Sequence, residues 1–225
     1  MAPGGADRAT PIALFDLDRT LLPGSSLEAL GRALAAEGLV SRRRLARAAA
    51  EQVRFTRRGA SDATATRLCT EGLGVIAGVE RDRLAPVVQR VGEELADLPV
   101  PGTRALVQRH LDAGHFCVVL SASPQELVEV VCSRLGLHRA VGTCAAVADG
   151  RFTGALDGVF CYGPGKLARL RQALGQVDLG QAWAYADSIS DLPVLSACAH
   201  PVAVNPDRQL RKLARTNAWP IFDVG

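Results

Sequence analysis

Ile12-Ala13-Leu14-Phe15-Asp16-Leu17-Asp18-Arg19-Thr20-Leu21 is the stretch on which the fold turns. Four apolar residues cut short by an acid have the texture of a strand buried on both faces. Such a strand belongs to a parallel sheet covered by helices. Asp16 and Asp18 stand just past the strand's carboxyl end, where open parallel sheets bind their ligands. On extended chain a two-residue offset turns side chains to one side, so both acids could approach one group. Residues 1–11 are polar and rich in Gly and Pro, and read as a disordered leader with no secretory signal.

Outward from that strand the texture changes twice. From Ser25 to about Leu98 the pattern is helical. Leu27, Leu30 and Leu34 recur at helical spacing, as do Leu45, Ala49 and Val53. A third segment follows Ser61 and Asp62, and Leu84, Val87, Val88, Val91 and Leu95 mark a fourth. Pro99-Val100-Pro101-Gly102 then punctuates the chain. Beyond it strands and helices alternate. Strands are expected at 116–120, 141–144, 182–186 and 201–204, with a hairpin turning at Asp149-Gly150. Helices are expected at 103–113, from Pro124, at 166–174, after Asp187 and from Asp207.

This alternation predicts an α/β fold, a Rossmann-like, doubly wound parallel sheet. The helical block interrupts it right after the first strand and reads as an inserted all-helical cap. The expected division is a core from residues 1–22 and 100–225 and a cap from 23–99. Pro23-Gly24 and Pro99 to Gly102 would act as hinges.

The 225 residues carry a formal net charge of +3, too mild to mark a nucleic-acid binder. The run Arg42, Arg43, Arg44, Arg47 reads as a solvated helix face. No apolar run approaches the ~20 residues that span a bilayer. The six cysteines form no C-x-x-C pair and the four histidines are dispersed, so no structural zinc pattern stands out. The cysteines read as small core hydrophobes of a reduced, cytoplasmic protein, monomer or homodimer, with no nucleic-acid or membrane partner. Of the 26 basic residues only two are lysines, Lys166 and Lys212.

Other strand ends carry matching chemistry. The strand at 116–120 runs into Ser121-Ala122-Ser123, Lys166 opens a helix, and Asp187 follows the strand at 182–186 with Asp191 four residues on. Ser123-Pro124-Gln125-Glu126 reads as a capping box with Pro at the first helical position, its free N–H groups open to an anion. Singly, each piece has a plainer reading. The paired acids can be a strand-end turn, the serines a helix cap, Lys166 a surface ammonium, and Asp187 and Asp191 helix N-terminal acids.

In this order, however, the pieces resemble the haloacid-dehalogenase superfamily in its phosphoserine-phosphatase-like branch. The resemblance rests on Phe15 to Leu21, Leu120-Ser121-Ala122-Ser123, Gly165-Lys166 and Tyr185 to Pro193, with the helical insert after the first motif. It implies a phosphatase of a small phosphorylated metabolite that uses Mg2+. Asp16 would be the nucleophile, forming an aspartyl-phosphate. Asp18 would protonate the leaving alkoxide and then deprotonate the attacking water. Asp16, Asp18 through its carbonyl, and Asp187 would hold the metal. Ser121, Ala122, Ser123 and Lys166 would hold the phosphoryl group. Asp191 would orient the site, through a metal-bound water or by pairing with Lys166.

The chain departs from that branch at Ser25, where the branch carries a Glu for the substrate ammonium. Glu28 lies one helical turn later and is a possible substitute. Arg54, Arg57 and Arg58 stand where a cap arginine could hold a second anionic group. Arg19, Ala186 and Ser190 also depart from the pattern. The substrate therefore stays open among phosphorylated amino acids, amino alcohols and sugars. Two other readings of the same fold remain, a phosphotransferase or mutase and a non-catalytic regulatory protein.

Overall fold

The structure is a computed structural model and describes residues 10–47, 50 and 62–223. Its strands are β1 (Ile12–Phe15), β2 (Phe116–Pro124), β3 (Arg139–Thr143), β4 (Ala145–Ala148), β5 (Arg151–Leu156), β6 (Trp183–Ala186), β7 (His200–Val204) and β8 (Ile221–Phe222). Six of them form one sheet in the order β3-β2-β1-β6-β7-β8, every pair parallel. The chain leaves β1 toward β2 on one side and returns to β6 on the other. The strand order therefore reverses at β1, and a crevice opens at its carboxyl end.

Both faces of β1 are buried, as its unbroken apolar run requires. Ile12 and Leu14 face one way and pack with Val118, Leu120, Leu170, Leu195 and Leu210. The last three belong to α6 (Pro164–Leu174), α7 (Leu192–Ala197) and α8 (Arg208–Thr216). Ala13 and Phe15 face the other way, toward Val107 of α4 (Thr103–Asp112) and Val128 and Val131 of α5 (Gln125–Arg134). The period of two along the strand thus splits the core into two layers around the sheet.

The expected hairpin forms as a separate antiparallel pair, β4 with β5. Asp149 and Gly150 both adopt positive φ, 49° and 72°, as a two-residue turn of that hand demands. One expectation is corrected and one element was missed. β2 runs on through Ser123 to Pro124, where it pairs with Thr143, so α5 starts at Gln125 without a side-chain cap. Ser123 is therefore no helix cap. β8 follows α8 and was not foreseen, because two residues after Trp219-Pro220 are too short to show a period.

The helical insertion contains α1 (Ser26–Ala36), helical residues 42–47, α2 (Asp62–Leu73) and α3 (Arg81–Ala96). Ala49 and Val53, read as continuing the second helix, lie outside the described residues. Leu30, Leu34 and Val40 pack with Leu84, Val87, Val88 and Val91 in one cluster, which also takes in Leu127 of α5 and Phe152 of β5. A side chain at Gly92 would run into Val130, so glycine there lets α3 lie close against α5. The hairpin is stitched to the insertion. Gly78 N–H donates to Phe152 O at 2.8 Å, Phe152 N–H to Val79 O at 3.0 Å, and Arg81 N–H to Gly150 O at 2.9 Å. No described helix is long and apolar enough to cross a membrane.

Candidate active site

Asp16 is the first residue beyond β1, and its N–H donates to Tyr185 O on β6 at 2.9 Å. That bond holds Asp16 beside the strand that delivers Asp187. Asp18 does not continue the strand. Leu21 and Leu22 N–H both donate to Leu17 O at 2.9 Å, and Arg19 sits at φ 60°, so residues 17–22 form a tight turn. Leu17, Leu21 and Leu22 are buried and pin it to the core. The turn, rather than strand alternation, positions Asp18.

Lys166 lies in the first turn of α6. A Cβ at Gly165 would collide with the carbonyl oxygen of Phe160, so only glycine allows the helix start to approach this loop. Lys166 is thereby sunk to 4% side-chain exposure. Its Nζ stands 2.6 Å from Asp16 Oδ1 and 2.6 Å from Asp191 Oδ1. The first contact is an aligned hydrogen bond, and the second is an ion pair outside hydrogen-bonding geometry.

Asp187 follows β6 directly, and Asp191 closes the short 3-10 turn Ile189–Asp191. Asp207 braces this loop from β7's far end. Its N–H donates to Asp187 O at 2.7 Å, and its carboxylate accepts from Ile189 N–H at 2.9 Å and from Leu210 N–H at 2.8 Å. Carboxylate oxygens of Asp16, Asp187 and Asp191 lie within 4.8 Å of one another. At the rim, Arg19 approaches Asp187 at 3.9 Å and is largely exposed.

The strand end of β2 forms the adjoining wall. Ser121 and Ser123 are buried, Ser123 N–H donates to Ser121 Oγ at 3.1 Å, and Thr143 Oγ1 donates to Ala122 O at 2.7 Å. Ser123 Oγ shares a 2.6 Å hydrogen bond with Ser26 Oγ, and Ser26 N–H donates to Asp18 Oδ1 at 3.0 Å.

The electrostatics reflect crowding of like charge. Burial would strip Lys166 of its proton, but Asp16 and Asp191 outweigh it and hold the ammonium above its usual range. Burial raises Asp187, and the neighbouring charges of Asp16 and Asp191 raise it further. Burial also raises Asp191, with Lys166 opposing. Among the described residues, one buried ammonium and one exposed guanidinium thus leave the three clustered carboxylates short of positive charge. A hard divalent cation would supply that deficit, and an all-oxygen donor set suits one. Asp18 stands apart from the cluster. Burial lifts it to about 6, against the lowering effect of its bonds to Ser26.

Of the cap candidates, Glu28 falls among the described residues. It is exposed and pairs with Arg32 at 2.8 Å along α1. Arg57 and Arg58, with Arg54, lie outside the described residues. Two contributors were missed. Asp207 carried a visible signal as a helix N-cap, but not its second role as a brace. Ser26 carried none, because its partners Asp18 and Ser123 are brought to it only by the fold.

A family model described as haloacid dehalogenase-like hydrolase matches residues 13–196, which includes every acid of the cluster and Lys166. The chain belongs to that family. Phosphoserine phosphatase SerB1 of Mycobacterium tuberculosis (strain ATCC 25618 / H37Rv) is 38% identical, over 99% of this chain and 75% of the relative. A histidinol-phosphatase of Neisseria meningitidis serogroup C (strain 8013) is 32% identical, over 94% of this chain and 98% of the relative. A crystal structure of a protein of unknown function from Bordetella pertussis Tohama I superposes with a TM-score of 0.84 at 28% identity. It covers 96% of this chain and all of that one. The α/β fold and the phosphoserine-phosphatase-like resemblance therefore stand at the level of family.

Proposed function

We propose that the protein is a Mg2+-dependent phosphatase of small amino-bearing phosphomonoesters, acting through a phosphorylated Asp16. The observation that carries this reading is the placement of Lys166 Nζ 2.6 Å from both Asp16 and Asp191, with Asp187 in the same carboxylate cluster. The donor set of Asp16 and Asp187, with the carbonyl of Asp18, would hold the metal, and Asp191 stands within the same cluster. When bound, Mg2+ would supply positive charge that lets an anionic ester approach a carboxylate.

The chain's own residues do the rest. Lys166 neutralises and aims Asp16, so that a carboxylate oxygen of Asp16 can form a bond to phosphorus while the bond from phosphorus to the ester oxygen breaks. Asp18, lifted to about 6, keeps a share of its proton near neutral pH and gives it to the leaving alkoxide. The resulting carboxylate then takes a proton from the water that hydrolyses the acyl phosphate. Ser121 and the backbone at Ala122 and Ser123 line the phosphoryl position. Residues 23–99 act as the cap, with residues 145–156 riding on it, and exclude bulk water during transfer.

The amino-bearing class is supported by the names of two relatives, a phosphoserine phosphatase and a histidinol-phosphatase. The test is phosphate release from a panel holding O-phosphoserine, an amino-alcohol phosphate and sugar phosphates. It should be run with Mg2+, after chelation, and after Mg2+ is restored. The expected result is metal-dependent release, with the highest kcat/KM on the amino-bearing esters. No release from any ester at saturating Mg2+ would overturn the reading.

A further inference from the structure

Ser26 is where the helical insertion touches the residue that serves the leaving group. It is fully buried, and it makes two contacts that α1 itself does not need. The cap of α1 is Ser25, whose Oγ accepts the Glu28 N–H. Ser26 is the first helical residue, so its N–H has no partner within the helix. It donates instead to Asp18 Oδ1 at 3.0 Å. Its hydroxyl bonds Ser123 Oγ at 2.6 Å across 97 positions of sequence, tying α1 to the end of β2.

The two contacts are coupled by geometry. The amide that bonds Asp18 and the hydroxyl that bonds β2 belong to the same residue in the first turn of α1. Buried hydroxyls that lose their partner are costly, so the pair forms or breaks as a unit. We infer that Ser26 is a positioning residue: it orients Asp18 only while α1 is docked on the Ser121–Ser123 strand end, so closure of the insertion completes the acid.

This inference rests on the role proposed for Asp18, and it sets a test that the role alone does not. An alkoxide needs a proton to leave, whereas p-nitrophenolate leaves without one. Misorienting the acid must therefore hurt alkyl phosphates selectively. The experiment compares kcat/KM for an alkyl phosphate and for p-nitrophenyl phosphate in wild type, Ser26→Ala and Ser26→Thr. Circular dichroism checks that each is folded.

Ser26→Ala is expected to lower the alkyl value about tenfold more than the p-nitrophenyl value, since a general acid is worth roughly 10²–10⁴ in rate and is here displaced rather than removed. Ser26→Thr, which keeps the hydroxyl, is expected to restore most of the ratio. Ser123→Ala cuts the same contact from β2 and should give the same selectivity, so the ratio is readable there if Ser26→Ala does not fold. Equal losses on both esters, or no loss on either, would overturn the inference and leave the phosphatase reading intact. If wild type itself released phosphate from neither ester, the phosphatase reading would fall first.

Discussion

At the carboxyl edge of the sheet, Asp16, Lys166, Asp187 and Asp191 are nearly closed off from solvent, and neighbouring backbone fixes where they stand. In the helical insertion, Glu28, Arg32, Arg81 and Arg90 are exposed and their ion pairs run along or between surfaces. The floor can tolerate little displacement, because its charges have no water to screen a misfit. The insertion's charged face can change at small cost, since exposed pairs contribute little to stability. The proposed chemistry thus belongs to the buried half. On the proposed reading, recognition of the rest of the substrate would fall to the insertion, whose charged side chains are exposed.

Gly165→Ala strikes the floor without touching a catalytic group. The added methyl would meet the Phe160 carbonyl, shift the start of α6 and drag Lys166 out of place. A displacement on the order of 1 Å costs about 10²-fold in rate. We therefore expect kcat to fall by about that factor while circular dichroism still shows the native fold. Near-normal kcat would mean that the position of Lys166 is not critical. At the other extreme, Glu28→Ala removes only an exposed pair with Arg32. It should change stability by less than about 0.5 kcal/mol in denaturant melts and leave kcat/KM on an amino-bearing ester within about twofold. A large rise in KM would show that Glu28 reaches the substrate after all, and would blur the contrast between the two halves.

What could be read in advance follows the same division. The buried run before Asp16, the Asp149-Gly150 turn and the apolar spacing in α1 and α3 are local signals, and they placed most elements within a few residues. The floor was legible because its residues sit at strand ends and helix starts, where local pattern and chemistry coincide. Contacts that only the tertiary fold creates were not legible. Ser123 looked like a cap because Ser-Pro-x-Glu is a capping pattern. Instead β2 stays extended for pairing with Thr143, and the hydroxyl turns to Ser26. By contrast, the pairing of Glu28 with Arg32 one turn on is a local contact that helical spacing allows. Asp207 announced a helix start, but the bond from Ile189 N–H that makes it a brace depends on β6 and β7 lying side by side.

The most direct measurement is to quench the enzyme in acid while it turns over a phosphomonoester with Mg2+, and to map the modified peptide by mass spectrometry. The account predicts one added phosphoryl group on Asp16, labile to hydroxylamine and lacking in Asp16→Asn, which should also lose at least roughly 10³-fold in kcat. A phosphoryl group on any other side chain, or full turnover by Asp16→Asn, would contradict it.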